Sequence, residues 1–214
     1  MTTETKFWKK KYFTMLAGQS VSLITSGILQ MSIIFYLTAK TNSAMVLSIA
    51  TLMGFLPQAV IGPFAGTFVD RHSRKGVMIG ADLMIAATGG FLAVVSVFME
   101  LPIWLIMLVL FVRSIGNAFH SPASSAVTPL MVPQDQLTQC AGYNQTMQAA
   151  VSLISPAAAA FLYSVWSLST IILLDIIGAV LACGVVAVLS IPNPPICPGE
   201  SQNSFFRDMK EGFN

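Results

Sequence analysis

Two long stretches without a single charged side chain are the feature that most constrains how this chain can fold. They are residues 12–39 and residues 41–69, and only Lys40 separates them. Each is longer than the roughly 20 apolar residues that a helix needs to cross the hydrocarbon core of a bilayer. Over the whole chain 9% of the residues are charged, whereas soluble domains carry about a quarter. The composition therefore predicts a membrane protein whose first partner is the lipid bilayer.

Apolar segments recur six times along the chain, which predicts an all-α membrane protein built as a six-transmembrane-helix bundle. The segments cover roughly 12–38, 43–69, 77–99, 102–120, 141–165 and 168–191. We therefore divide the chain into three parts. They are an N-terminal segment of residues 1–11, the helix bundle of residues 12–191, and a following segment of residues 192–214.

The positions of lysine and arginine predict how the bundle is oriented. Of the 11 basic residues, all but Lys40 and Arg113 lie before the first segment, between the second and third, or after the sixth. Cytoplasmic loops carry an excess of lysine and arginine. We therefore expect a multi-pass protein with both termini in the cytoplasm. The net charge of +2 gives no basis for a nucleic-acid partner.

Motifs for catalysis or for binding a cofactor are absent from the sequence. The cysteines, Cys140, Cys183 and Cys197, are odd in number and widely spaced, so they predict neither a disulfide framework nor a metal site. The sequence has no HExxH motif and no phosphate-binding GxxxxGK motif. We therefore expect no enzyme, no metal and no cofactor. If the protein transports a solute, the energy source is expected to be an ion gradient rather than ATP, with protons favoured over sodium.

Three ionisable residues fall inside predicted helices: Asp82, Arg113 and Asp175. A charge at the centre of a membrane helix costs roughly 2.5–3.5 kcal/mol, so such residues need a partner or a wet cavity. Asp82 and Arg113 fall at similar depths if the fourth helix ends near residue 120, and either Arg113 or Lys75 could neutralise Asp82. We interpret Asp82 as part of an ion pair and Arg113 as functional. Asp175 has no assigned partner, and a structural and a coupling role remain open for it. For His120, at the end of the fourth segment, capping or packing is favoured over proton relay.

A stripe of polar side chains follows the first helix. Its residues are separated by three, four and four positions, which places them on one helical face: Gln19, Ser22, Ser26 and Gln30. Such a face must contact protein or water rather than lipid. Hydrogen bonding between helices and a cavity wall are both compatible with it.

The hinge between the second and third helices is rich in charge and reads GTFVDRHSRKG, residues 66–76. It resembles the Gly-xxx-Asp-Arg-x-x-Arg-Lys signature of the major facilitator superfamily in the same loop, although Ser73 replaces the usual second glycine. The matched residues are Gly66, Asp70, Arg71, Arg74 and Lys75. The stretch LFVRSIGNAF resembles the fourth-helix motif of that superfamily, with Arg113 and Gly116 matched.

Within the superfamily, the sequence resembles proton-coupled drug exporters of the macrolide-efflux type along nearly its whole length. The stretches that carry this resemblance include SLITSGILQMSIIFYL, MELPIW, LLDIIGA and the segment from Asn117, NAFHSPASSAVTPLMVPQDQL. The antiporter signature of the fifth helix is matched only at Gly142 and Pro156, which would form a kink. Its other glycine positions hold Val151, Ser155 and Ala159, which makes antiport less secure than membership of the superfamily.

The resemblance implies that the chain is the N-terminal half of a transporter in the bacterial plasma membrane, with residues 192–214 as the start of its central cytoplasmic loop. A missing C-terminal six-helix half would complete a substrate site near the membrane midplane. The implied function is secondary active efflux of macrolide-like small molecules in exchange for protons, and the chain alone is expected to be inactive. The alternatives are export of another amphipathic solute, such as a siderophore, and a non-transporting regulatory or assembly half-subunit.

The resemblance also implies roles for particular residues. Arg113, with Asp175 and Asp82, would couple protons to transport. The hinge residues Gly66, Asp70, Arg71, Arg74 and Lys75 would form a cytoplasmic latch against the other half. The substrate cavity would be lined by Gln19, Ser22, Ser26, Gln30 and Asn117.

Overall fold

A computed structural model describes the backbone of residues 3–189 and the side chains of residues 8–189. Residues 192–214, predicted to begin the central loop, lie outside the described residues. Between residues 3 and 189 the regular structure is entirely helical: α1 (Thr3–Thr41), α2 (Ala44–Arg71), α3 (Arg74–Phe98), α4 (Ile103–Met131), a 3₁₀ turn (Gln134–Gln136), α5 (Leu137–Val165) and α6 (Leu168–Val188). All six α-helices are long and apolar enough to cross a membrane. The prediction of an all-α, six-helix membrane bundle is confirmed.

Helix α4 is longer than its apolar segment suggested. It was expected to end near residue 120, with a loop up to residue 140, but it continues to Met131 through Pro122 and Pro129. Proline is tolerated inside membrane helices because neighbouring helices and hydroxyl side chains satisfy the freed backbone groups. The expected long loop is therefore wrong, and only residues 132–136 separate α4 from α5.

Serine side chains begin three of the helices after tight turns. The hydroxyls of Ser43, Ser73 and Ser167 accept hydrogen bonds from backbone amides three residues later, at the starts of α2, α3 and α6. Such caps satisfy amides that have no partner in the first helical turn. They fix where each helix enters the bundle.

The helices pack in a pattern that repeats after three elements. Helix α1 packs mainly against α5 and α6, α4 packs mainly against α2 and α3, and α3 packs against α6. Exchanging α1 with α4, α2 with α5, and α3 with α6 leaves this pattern unchanged, as expected for an internal three-helix repeat. The outer helices α2 and α5 are the least buried of the six.

Two apolar clusters are stacked along the bundle. The cluster nearer the chain termini includes Tyr12, Val69, Met78, Val127 and Val186. The cluster at the opposite end includes Leu37, Ala50, Leu92, Leu105 and Ile171. Between them lies a layer that contains the buried polar residues Gln19, Ser22, Thr25, Asp82, Arg113, Ser114 and Asp175.

Small residues allow α1 to approach its neighbours closely at this layer. A Cβ atom on Gly178 of α6 would collide with the Thr25 side chain, and one on Gly27 of α1 would collide with Ser155 of α5. The Thr25 side chain of α1 therefore packs onto the backbone of α6, and the Ser155 side chain of α5 packs onto the backbone of α1.

Candidate functional site

A buried ion pair occupies the polar layer. Arg113 Nη1 donates a hydrogen bond of 2.7 Å to Asp175 Oδ2, and Ser26 Oγ donates one of 2.6 Å to Asp175 Oδ1. Arg113 Nη2 also donates to Ser26 Oγ at 3.4 Å. The Arg113 and Asp175 side chains are 4% and 0% exposed. Each carboxylate oxygen therefore has its own donor, and the two charges compensate each other within the apolar bundle.

The partner of Arg113 rules out one of the two alternatives considered for Asp82, a pair with Arg113. That alternative assumed that the fourth helix ends near residue 120. Because α4 ends at Met131, Arg113 lies 18 residues from that end (131 − 113), whereas Asp82 lies 8 residues from the start of α3 at Arg74 (82 − 74). Arg113 lies beside Gly89, which is seven residues from Asp82 on α3 (89 − 82), so at about 1.5 Å per residue the two side chains differ in depth by about 10 Å.

Asp175, which had no assigned partner, is at a suitable depth for Arg113. Helices α4 and α6 start at the same end of the bundle, and the two residues lie ten and seven positions from those starts (113 − 103 and 175 − 168). Gly89 of α3 lies between them, and a Cβ atom there would be 3.7 Å from Arg113 Nη1 and 3.8 Å from Asp175 Oδ2. Both distances are ordinary van der Waals contacts, so the backbone of α3 packs directly beside the pair at Gly89.

Asp82 forms a second buried pair, with His120. The His120 Nε2 atom lies 3.2 Å from Asp82 Oδ1, and Gln19 lies beside the same carboxylate. Lys75, the alternative partner considered for Asp82, instead donates hydrogen bonds of 2.8 Å to the carbonyl oxygens of Ala187 and Leu189. His120 therefore packs where α4 meets α3, beside this carboxylate.

A cavity of about 350 Å³ opens between α1, α2, α4 and α5. Four of the residues expected to line a substrate cavity line it: Gln19, Ser26, Gln30 and Asn117. Arg113 and His120 also reach its wall, whereas Asp175 and Asp82 do not. One member of each buried pair therefore faces the cavity.

Ser22 is the exception in the predicted stripe, because it does not line this cavity. It is buried, and its carbonyl accepts a hydrogen bond from Thr25 Oγ1 at 3.0 Å. At 3.6 residues per turn, Ser22 points about 40° or more away from each of the other three residues. It therefore lies at the edge of the stripe, and its place in the wall of a complete substrate cavity stays a prediction.

About half of the polar residues in the cavity wall were not predicted from the sequence. The missed residues are Gln58 on α2, Ser121, Ser124 and Ser125 on α4, and Asn144 and Gln148 on α5. The α4 residues continue the face of Asn117, and that signal was hidden by ending the helix near residue 120. Apolar side chains complete the wall, among them Met15, Leu16, Phe55 and Met147. The cavity thus combines amide and hydroxyl groups with large apolar surfaces.

The hinge residues lie at the ends of α2 and α3. Arg74 Nη2 lies 3.6 Å from Asp70 Oδ1 across the turn between α2 and α3, and the Asp70 side chain is 69% exposed. Lys75 binds the last carbonyls of α6, where a cation is favoured by the helix C-terminus. Arg71 is the last residue of α2, and Gly66 has open space where a Cβ would lie. Contact with another half stays a prediction.

Helix α5 continues through Pro156 without interruption. A Cβ atom on Gly142 would meet no other atom within 4 Å, so the described residues do not require glycine there. Ser155, which replaces a signature glycine, packs against Gly27 of α1. The kink at Gly142 and Pro156 stays a prediction.

Comparison with known proteins connects this architecture to a family. The family model described as Major Facilitator Superfamily matches residues 15–206. Macrolide efflux protein A of Streptococcus pyogenes is 59% identical over 205 residues, covering 96% of this chain and 51% of that protein. Macrolide efflux protein A of Enterococcus faecalis is 55% identical over 171 residues, covering 80% of this chain and 53% of that protein. The uncharacterized MFS-type transporter YkuC of Bacillus subtilis is 24% identical over 204 residues, covering 95% and 46%. The chain spans about half the length of the curated relatives it matches.

Proposed function

Because the chain belongs to the Major Facilitator Superfamily, we propose that it supplies one six-helix half of a secondary transporter that exports macrolide-like drugs in exchange for protons. It is a multi-pass membrane protein. In our proposal it lies in the bacterial plasma membrane with both termini in the cytoplasm, and a second six-helix half faces the cavity. Alone, the chain has half of the cavity wall and is expected not to transport.

The proposed substrate class rests on the relatives and on the cavity. Two relatives that are 55–59% identical to most of this chain bear the name macrolide efflux protein A. A macrolide presents a large apolar ring together with hydroxyl and carbonyl groups. The cavity offers amide and hydroxyl side chains beside methionine, leucine and phenylalanine, a mixture that suits an amphipathic ligand. Drug-sized sites measure roughly 300–1,000 Å³, so a facing wall would bring this half-cavity of about 350 Å³ well into that range.

The observation that carries the coupling proposal is the Arg113–Asp175 pair, 2.7 Å long, with its arginine on the cavity wall. While Asp175 is ionised it holds Arg113 in place. When Asp175 takes up a proton, the attraction falls and Arg113 gains freedom to interact with the cavity contents. Protonation of Asp175 and binding of a ligand would then both change the interactions of Arg113. Two binding events that act on the same side chain in this way are coupled. Asp82, paired with His120, is proposed as a second participant in coupling.

The hinge would act as a latch for rocking of the two halves. Asp70, largely exposed beside Arg74, is available to meet a positive helix N-terminus across the interface. Arg71 lies next to it at the end of α2. In this proposal, making and breaking that contact biases the cytoplasmic side between closed and open states, while Lys75 keeps the hinge attached to α6.

The experiment that tests the function is complementation. The 214-residue chain is expressed in a macrolide-sensitive bacterium, alone and together with the part of the Streptococcus pyogenes relative that it does not match. We expect lower accumulation of radiolabelled erythromycin only in the co-expressing cells. The difference should disappear when a protonophore collapses the proton gradient. Equal accumulation in the co-expressing and control cells, with both polypeptides in the membrane, would overturn the proposal.

A further inference from the structure

We infer that Ser26 is the relay through which a proton passes between the cavity and Asp175. The inference rests on the proposed function, since it assigns a proton path to the coupling pair. It starts from an asymmetry of the site. Asp175 is 0% exposed and does not reach the cavity, whereas its two hydrogen-bond donors, Arg113 and Ser26, both line the cavity.

The groups around Asp175 leave one route for the proton. Arg113 occupies Oδ2, but a guanidinium is not deprotonated in proteins and so cannot pass a proton on. On the side of α3 the neighbour is Gly89, which carries no side chain. The other carboxylate of the polar layer, Asp82, is engaged by His120. Ser26, from α1, donates directly to Oδ1 at 2.6 Å.

The hydroxyl of Ser26 has the chemistry for this step, because it is at once a donor and an acceptor. A protonated water in the cavity gives a proton to Ser26 Oγ as the Ser26 hydroxyl proton moves to Asp175 Oδ1. The serine stays neutral, the carboxylate becomes a neutral acid, and the water has lost one proton. The reverse sequence discharges Asp175. Arg113, which donates to Ser26 Oγ at 3.4 Å, holds the hydroxyl in line during the exchange.

Transport assays separate a relay from a merely structural role. The co-expressed halves are reconstituted into liposomes, and two rates are compared: uphill erythromycin transport driven by a pH gradient, and erythromycin exchange at equal pH, which requires no net proton transfer. A positioned proton-transfer group contributes on the order of 10²-fold to its step. Because Ser26 also lines the cavity, both rates are measured at saturating erythromycin, where a weaker affinity affects neither. We therefore expect Ser26→Ala to slow uphill transport by about tenfold or more relative to its effect on exchange.

Two further variants make the comparison specific. Ser26→Thr retains the hydroxyl and should recover most of the uphill rate. Ser32→Ala removes another fully buried hydroxyl of α1 that does not line the cavity, and both rates should stay near wild type. Equal loss of uphill transport and exchange in Ser26→Ala would show that Ser26 has a structural role only and would overturn the relay.

A second measurement needs only the 214-residue chain. After a rapid fall in pH, infrared spectroscopy follows the carbonyl band of the protonated Asp175 carboxyl, assigned by its absence in Asp175→Asn. The band should appear at least about tenfold more slowly in Ser26→Ala than in Ser32→Ala, for the same proton-transfer reason. Equal rates would overturn the relay even if the chain exports macrolides. A slowed band together with no macrolide export would overturn the proposed function and leave the relay supported.

Discussion

Removing the positive partner of the buried pair should destabilise the bundle severely. In Arg113→Met the aliphatic bulk is roughly retained, but Asp175, 0% exposed and 2.7 Å from its partner in the native chain, loses the compensating charge. Breaking a buried ion pair by removing one partner costs about 3–5 kcal/mol, because an uncompensated charge remains. We expect a loss of that size in the free energy of unfolding.

The double variant Arg113→Met/Asp175→Leu shows whether the loss comes from the stranded charge. Replacing both members of a buried pair by apolar residues is often neutral or stabilising. The double variant should therefore recover most of the stability, with a coupling energy of about 3 kcal/mol or more between two directly contacting residues. The double variant should show no uphill transport, because it lacks the titratable carboxylate of Asp175.

The assay is unfolding of the purified chain in dodecyl maltoside by titration with sodium dodecyl sulfate, followed by circular dichroism. Glu100→Gln serves as the control, because Glu100 is 91% exposed and lies 3.4 Å from Lys40. Exposed ion pairs contribute little to stability, so Glu100→Gln should not measurably change the free energy of unfolding. The reasoning is refuted if Arg113→Met loses less than about 1 kcal/mol, a surface-pair value, or if the losses of the two single variants add in the double variant.

Three further outcomes follow from the packing, the hinge and the cavity. Gly178→Ala, whose new Cβ would collide with Thr25, should lose about 1–3 kcal/mol through overpacking. In the same unfolding assay Gly62→Ala, with nothing within 4 Å of the new Cβ, should not be destabilised. Lys75→Met removes two 2.8 Å hydrogen bonds to α6. It should lower the free energy of unfolding by about 1.5 kcal/mol, the low end for hydrogen bonds of a charged group, because the site is partly exposed. An unchanged free energy of unfolding would refute the attachment of the hinge to α6. Asn117→Ala should raise the erythromycin concentration for half-maximal transport roughly 2- to 10-fold, the equivalent of one hydrogen bond. Thr67→Ala, half-buried on α2 and outside the cavity wall, should leave that concentration unchanged.

The fold could be predicted from the sequence because membrane helices are recognised by their length and their apolar composition. Five of the six segments matched their helices closely at their apolar cores, and the error was confined to α4. There, Pro122 and Pro129 suggested a loop, although prolines in membrane helices are supported by neighbouring groups that a single sequence does not display.

The site was harder to predict than the fold, because its pairings depend on depth and on which helices adjoin. The one error in α4 placed the helix end 11 residues (131 − 120), or about 16 Å, too close to Arg113, and so made Asp82 a feasible partner for it. It also hid the serines that follow Asn117. The contact of Arg113 with Asp175 joins α4 to α6, and no pattern within either helix indicates that these two helices adjoin. The stripe of Gln19, Ser26 and Gln30 was found because it depends only on periodicity within one helix.

The central claim is that protonation of Asp175 couples the proton gradient to drug movement, and one flux measurement tests it most directly. The chain and its complementing half are reconstituted into liposomes, and erythromycin accumulation against its own gradient is measured under an imposed pH gradient for wild type and Asp175→Asn. We predict uphill accumulation by the wild type, and in Asp175→Asn only downhill equilibration that ignores the pH gradient. Uphill accumulation by Asp175→Asn at the wild-type level would contradict the account.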